Sequence, residues 1–201
     1  MMRSGFAVLV AILCALALVT DRAGVPAAKI VDVDRDSLMP VIRHRDEIGT
    51  DIITRPIGPA LVAVLTTSVG EAETYLNEPS LSAEGLSADE AYEIAAANFR
   101  EYIEGKLKLI DEAGFGTVTL DGRRETSLLV LDDFWEGLAV STGASPIIVA
   151  PAREILFVSN AASPMAVDEI KAIGRSAHAA AQQPLSPDAL IWRDGQWHAS
   201  P

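Results

Sequence analysis

Two Asp-Gly pairs, Asp121-Gly122 and Asp194-Gly195, each lie between β-prone runs and constrain this chain more than any other feature. Asp and Gly tolerate the positive φ of a two-residue type I′ turn, so each pair predicts a tight antiparallel hairpin. At the C-terminus, residues 189–193 return as 196–200, which sets Arg193 against Gln196 and Trp192 against Trp197. Upstream, residues 116–120 return as 126–131 across Asp121-Gly122-Arg123-Arg124. Within the returning strand, Ser127-Leu128-Leu129-Val130-Leu131 is apolar without alternation, the pattern of a central, doubly buried strand. Residues 60–67 and 72–76 predict two more strands, and residues 147–150 and 154–159 another two, joined through Pro151-Ala152-Arg153.

Helices interrupt this pattern. Ser87-Ala88-Asp89-Glu90 forms a capping box. Behind it, Ala91, Ile94, Ala95, Phe99, Tyr102 and Ile103 share one face of a helix predicted over about 88–110. Ser163-Pro164 opens a second helix over about 164–182, with Val167, Ile170, Ile173, Ala177 and Ala181 inward. Asp132 is placed to cap a short helix that holds Phe134, Trp135 and Leu138. Residues 77–85 read as loop. The order implies an α+β fold: a largely antiparallel sheet built from hairpins, with the two main helices packed on it. It occupies residues 59–200, behind an irregular leader over 28–58 that Pro40, Pro56 and Pro59 interrupt.

The first 27 residues read as an export signal. Arg3 precedes an unbroken apolar run over 6–19, and Val25-Pro26-Ala27 offers small residues before a cut. The run falls short of the roughly 20 residues of a full bilayer span, so a cleaved signal is favoured over an inner-membrane anchor at 6–19. Cys14 follows Leu13 where a lipidated Cys needs a small neighbour, and it is the chain's one Cys. Removing the signal leaves no disulfide, thiol nucleophile or thiolate metal site.

The formal net charge is -12; cutting off Arg3, Arg22 and Asp21, together +1, leaves the remainder near -13. Such a chain repels phosphate backbones and anionic membrane surfaces, which argues against nucleic acid as a partner and leaves the membrane only to an uncleaved N-terminal segment.

Motifs that carry chemistry are sparse. Asp32-Val33-Asp34-Arg35-Asp36 spaces oxygen ligands like the start of a calcium loop, but Ser37 stands where Gly makes the turn and Arg43 where a bidentate Glu is needed. Gly114-Phe115-Gly116 lacks the third Gly of a dinucleotide fingerprint. There is no phosphate-cradling Gly-Lys-Ser/Thr loop, no Gly-x-Ser-x-Gly elbow and no zinc-binding His pair; the three His stand at 44, 178 and 198. His178 suits a boundary position on its helix, and a long-range Ser-His-Asp triad stays open. Asp132-Asp133-Phe134-Trp135-Glu136 is the densest mix of acids and aromatics; the acids suit either a cation or the positive end of a helix. Arg153, at a strand junction, can hold a carboxylate or a structural partner. Trp192 and Trp197 form either a platform or, the stronger reading, the closure of a hydrophobic edge. Asp132, Asp133 and Arg153 are thus the candidate ligand-binding residues, with no catalytic residue, metal ligand or cofactor assigned.

The segments Leu128-Leu129-Val130-Leu131-Asp132-Asp133-Phe134-Trp135, Val149-Ala150-Pro151-Ala152-Arg153-Glu154-Ile155-Leu156-Phe157 and Pro184-Leu185-Ser186-Pro187 resemble the YtpQ-like bacterial family, domain of unknown function 1444. Met39-Pro40-Val41-Ile42-Arg43 and Ala95-Ala96-Ala97-Asn98-Phe99 fit the same pattern, and the resemblance spans most of residues 38–193. It implies no established activity, cofactor or site. The export segment sets this chain apart from the family's cytosolic members. Together these features favour a non-enzymatic binding or interaction domain of the bacterial envelope, periplasmic or secreted, with a protein or small molecule as partner. The rivals are a hydrolase with a site near Asp132, Asp133 and Arg153, and a membrane-tethered structural protein.

Overall fold

A computed structural model describes residues 30–69, 72–111, 115–162 and 164–201. The predicted export segment, Gly114 and Ser163, the expected cap of the second main helix, lie outside the described residues.

β-Branched, apolar stretches build two antiparallel sheets. The first comprises β1 (Met39–His44), β2 (Thr54–Ile57), β3 (Leu61–Val69) and β4 (Ala72–Tyr75). β3 is its spine: β1 runs along one edge, while β2 and β4 share the other. Residues 28–58 are therefore not simply an irregular leader, since they supply β1 and β2. Pro40 and Pro56 do not prevent this, because both strands are edges, where a missing N–H need not cost a ladder bond.

The second sheet comprises β5 (Lys108–Asp111), β6 (Gly116–Thr119), β7 (Pro146–Ala152), β8 (Ile155–Asn160), β9 (Ala189–Arg193) and β10 (Gln196–Ala199), in the order β10-β9-β7-β8-β6-β5. Every pairing in it is antiparallel. The fold is α+β with antiparallel sheets, as the alternation of hairpin and helix signals implies.

Among the described residues, four α-helices complete it: α1 (Glu78–Ala83), α2 (Ala88–Ile103), α3 (Asp132–Thr142) and α4 (Pro164–Ala180). The capping box of α2 forms, with the Ser87 amide donating to Glu90 Oε2 at 2.9 Å and the Glu90 amide to Ser87 Oγ at 3.3 Å. Tyr92 on α2 is buried and donates its hydroxyl to the Ala63 carbonyl at 2.7 Å, tying the helix to β3; burial pushes its phenol well above the ordinary value.

Three expectations fail for identifiable reasons. The helix predicted to about residue 110 stops at Ile103, where Glu104 turns to extended backbone, and residues 108–111 become β5. Pairing with β6 overrides the local helical pattern. Residues 77–85 are not loop: Asn77 Oδ1 accepts from the Ser80 amide at 3.0 Å and caps α1. Residues 127–131 are not a central strand, and no hairpin joins them to 116–120; they lie in and just after a 3-10 helix over Glu125–Val130. The run lacks alternation because Ser127, Leu128, Leu129 and Leu131 are all buried and Val130 partly so, a condition a helical segment meets as well as a strand.

That 3-10 helix sits at the centre of the core. Ser127 donates its hydroxyl to the Pro40 carbonyl of β1 at 2.8 Å, Trp135 Nε1 donates to Leu128 O at 2.8 Å, and Trp197 Nε1 donates to Leu129 O at 3.2 Å. Trp135 meets Trp197 edge to face at 5.0 Å between centroids, and Trp197 meets Trp192 at 5.1 Å. All three indoles are buried, so the C-terminal hairpin closes the core and offers no platform. Its register is the predicted one, Arg193 facing Gln196 and Trp192 facing Trp197.

Candidate functional site

The three candidate residues occupy three different environments. Helix α3 starts directly after the 3-10 helix, at an N-cap formed by Leu131 with no side-chain capping bond. Asp132 is therefore the first helical residue and not the expected cap.

Asp133 is consumed by the fold. Its Oδ1 accepts from Arg100 Nη2 at 2.6 Å and its Oδ2 from Arg100 Nε at 3.2 Å, a bidentate pair that ties α3 to α2. The Arg100 guanidinium holds the Asp133 carboxyl below its usual range, and both partners are substantially exposed. Such a surface pair contributes at most about 1 kcal/mol.

Asp132 faces a cleft of about 660 Å³ between β2, the turn into β3 and the C-terminal hairpin. Arg55, Pro56, Gln196 and His198 line it with Asp132, and the buried Trp192 forms part of its wall. Burial lifts the Asp132 carboxyl above its ordinary value, opposed by Arg55 and Arg100 and reinforced by Asp133. Arg55 is pre-positioned: its Nη2 lies 3.3 Å from Asp89 Oδ1, and its guanidinium stacks 4.3 Å from the centroid of the Tyr92 ring. Trp192 Nε1 donates to Glu136 Oε2 at 3.3 Å, fixing the hairpin against α3. The cleft thus presents one cation, Arg55, and one carboxylate, Asp132, whose proton affinity is raised. That pair can hold a small molecule bearing both charges.

Arg153 sits elsewhere, in the turn between β7 and β8. Its carbonyl accepts from Thr126 Oγ1 at 2.9 Å, and its Nη1 donates to Gln183 Oε1 at 3.1 Å. The charged groups it senses are Arg43, Glu73 and Arg123, together with the Tyr75 phenol; burial, with Arg43 and Arg123 adding to it, lowers its proton affinity. Asp132 instead senses Arg55, Asp133 and Arg100. The expected convergence of Arg153 with the two acids does not occur, and Arg153 makes a hydrogen bond to an amide in place of an ion pair with an acid.

Sequence reasoning missed the neighbours of Arg153. Arg43 belongs to the charged stretch over 43–47, yet it lies on β1 at 7% exposure. The available signal was its position directly after Val41-Ile42, at the end of an apolar strand. Tyr75 and Glu73, two residues apart on β4, project to one face of their strand.

A second concavity, about 480 Å³, lies under α3 and the outer strands, with Leu109, Phe115, Leu138 and Val158 in its walls and Asp111 as its ionisable group. Of the acids of the apparent calcium loop, Asp34 caps a short 3-10 helix over Arg35–Ser37, its Oδ1 accepting from the Asp36 amide at 3.1 Å. Among the described residues no group of three or more His, Cys, Asp or Glu is gathered to hold a metal, and no helix is long and apolar enough to cross a membrane. No family model, no curated protein and no solved structure matches this chain.

Proposed function

We propose that this chain is an exported, non-enzymatic binding domain of the bacterial cell envelope, and that it holds a small zwitterionic ligand in the cleft beside the C-terminal hairpin. The observation that carries the reading is the pairing, in one cleft, of Arg55, whose guanidinium lies over the Tyr92 ring, with Asp132. Export is supported by the apolar run over 6–19 behind Arg3. The bacterial setting is supported by the resemblance to the YtpQ-like family, whose members carry no established activity. A hydrolase built on Asp132, Asp133 and Arg153 has less support, because Asp133 is bound by Arg100 and Arg153 senses a different set of charges.

The test is a thermal-shift panel of free amino acids and dipeptides on the chain lacking residues 1–27, alongside Arg55→Gln and Asp132→Asn. A ligand that binds the native state raises its melting temperature. At least one member should do so, and each substitution should abolish the rise. Ester or peptide hydrolysis that disappears in Asp132→Asn would overturn the non-enzymatic reading. Recovery of the protein from the cytosol with Met1 intact would overturn export.

A further inference from the structure

Helix α3 leaves a gap against the larger sheet. Phe134, Leu138 and Thr142 recur every four residues along α3 and form one stripe on it. Opposite that stripe, the strand register lines up two rows: Leu109, Val118 and Leu156 in one, Asp111, Gly116 and Val158 in the other. Cross-strand partners share a face of the sheet. Gly116 therefore leaves the middle of the second row without a side chain. Leu109 leans into that space, since a Cβ on Gly116 would meet Leu109 Cδ1 at 2.7 Å.

The gap has two joined parts. The inner part, about 300 Å³, has the buried Val118, Leu128 and Trp135 for its floor. The outer part, about 480 Å³, opens beside Asp111 and Thr142. Leu109, Leu138 and Val158 border both, so the two form one groove. Leu109 and Phe134 stay 57% and 36% exposed at its rim. Large apolar side chains left open to water around a concavity are a feature of ligand-binding grooves.

The walls specify the ligand. Trp135 gives its indole N–H to Leu128 O, so the inner part offers no side-chain hydrogen-bonding group besides Lys108. A polar group placed there would lose its water and gain little in return. Lys108 borders only the inner part and Asp111 only the outer, and among the described residues neither makes an ion pair. Alternation along β5 puts Asp111 on the face of Leu109 and Lys108 on the opposite one. The charge presented to the groove is thus the Asp111 carboxylate. A formal net charge of -12 adds to the attraction for a cation.

We infer that this groove binds an aliphatic ammonium compound, with its alkyl chain in the inner part and its charged nitrogen beside Asp111. The site is separate from the Asp132 cleft and does not depend on the function proposed for that cleft.

Straight-chain primary amines from butylamine to octylamine are the probes, titrated calorimetrically into the full chain. Affinity should rise about fourfold with each added methylene until the inner part is full. Octylamine should bind about fivefold more tightly than octan-1-ol at low ionic strength, with octanoate weaker still, and salt should erode the preference. Asp111→Asn changes an exposed residue, so it should fold like the parent, erase the preference for amine over alcohol and spare the affinity for the alcohol. Thr142→Trp, also at an exposed position, puts an indole in the outer part and should weaken amine and alcohol alike by about tenfold. If that variant fails to fold, Asp111→Asn decides. Asp132→Asn should leave the amine affinity unchanged; its loss there would move the binding to the other cleft and overturn the assignment. Absence of octylamine binding, octanoate binding as tight as octylamine, an amine preference that survives Asp111→Asn, or undiminished binding in a folded Thr142→Trp would each overturn it as well.

Discussion

The Asp-Gly pair at 194–195 and the Asp-Gly pair at 121–122 are chemically identical and structurally unlike. At the first, Asp194 and Gly195 both take positive φ, 52° and 74°, and β9 and β10 pair across them in register. At the second, Gly122 alone of the pair has positive φ, 74°, and the chain leaves β6 for a 3-10 helix. The difference lies in the acids. Asp121 Oδ1 accepts from the amides of Arg123 and Arg124, both at 2.9 Å, and its Oδ2 accepts from Tyr102 Oη at 2.8 Å. Glu125 Oε1 accepts from the amides of Leu120 and Gly122 at 3.1 and 2.7 Å. Side-chain oxygens have captured backbone donors that a hairpin ladder would use. A turn dipeptide sets what the backbone tolerates; the carboxylates around it decide which turn is made.

The two regions meet at Trp135, whose indole bonds the 3-10 helix and packs on Trp197 of the hairpin. Trp135→Ala should therefore be the most damaging single change, costing about 3–5 kcal/mol in denaturant melts. A variant as stable as the parent would break the link between the regions. The same substitution at the two turns sharpens the contrast. Asp121→Asn places an amide against Tyr102 and Arg124 and removes a charged acceptor; it should cost about 1.5–3 kcal/mol. Asp194→Asn, at an exposed position whose φ Asn tolerates, should change stability by no more than about 0.5 kcal/mol. Equal costs would show that the turn backbone, and not the capture of its amides, governs both sites.

Acid titration gives a smaller and signed test. Burial opposes ionisation of Asp121, but the Tyr102 hydroxyl and the Arg123 and Arg124 amides outweigh it and hold the carboxyl below its ordinary value. Its contribution is present above the unfolded pKa and is lost as pH falls through the lower, folded one. Asp132 has the opposite sign. Its folded pKa is raised by burial, so between the unfolded and folded values the native state binds more protons, and stability falls as pH rises. Asp121→Asn should flatten the acid limb of the stability curve, whereas Asp132→Asn should remove a descending step from it. Asp121 and Asp132 carboxyl resonances that titrate at the same pH would refute both.

Much of the fold was legible locally. The capping box at Ser87 and Glu90 and the cross-strand Trp192 and Trp197 depend on neighbours a few residues apart, and they form as read. The misreadings depend on distant partners. Leu128 and Leu129 resemble a strand until Trp135 and Trp197 supply donors to their carbonyls. Residues 108–111 resemble the end of a helix until β6 pairs with them. The candidate site was half legible for the same reason. Asp132, Asp133 and Arg153 stood out by composition, but Arg100, Arg55, Arg43 and Glu73, which assign them different roles, come from 25 or more residues away in sequence.

The gathering of every tryptophan in the chain at one corner has a practical consequence. The three indoles, Trp135, Trp192 and Trp197, stack edge to face around the end of the larger sheet. Intrinsic fluorescence will therefore report on that corner alone, and the closely spaced rings favour exciton coupling in the aromatic circular dichroism. The sheet of β1 to β4 contains Tyr75 but no tryptophan, and is nearly silent to the same probe. If the smaller sheet loosened first, a fluorescence melt would register a single late transition. Only a backbone probe followed in parallel would detect the earlier event.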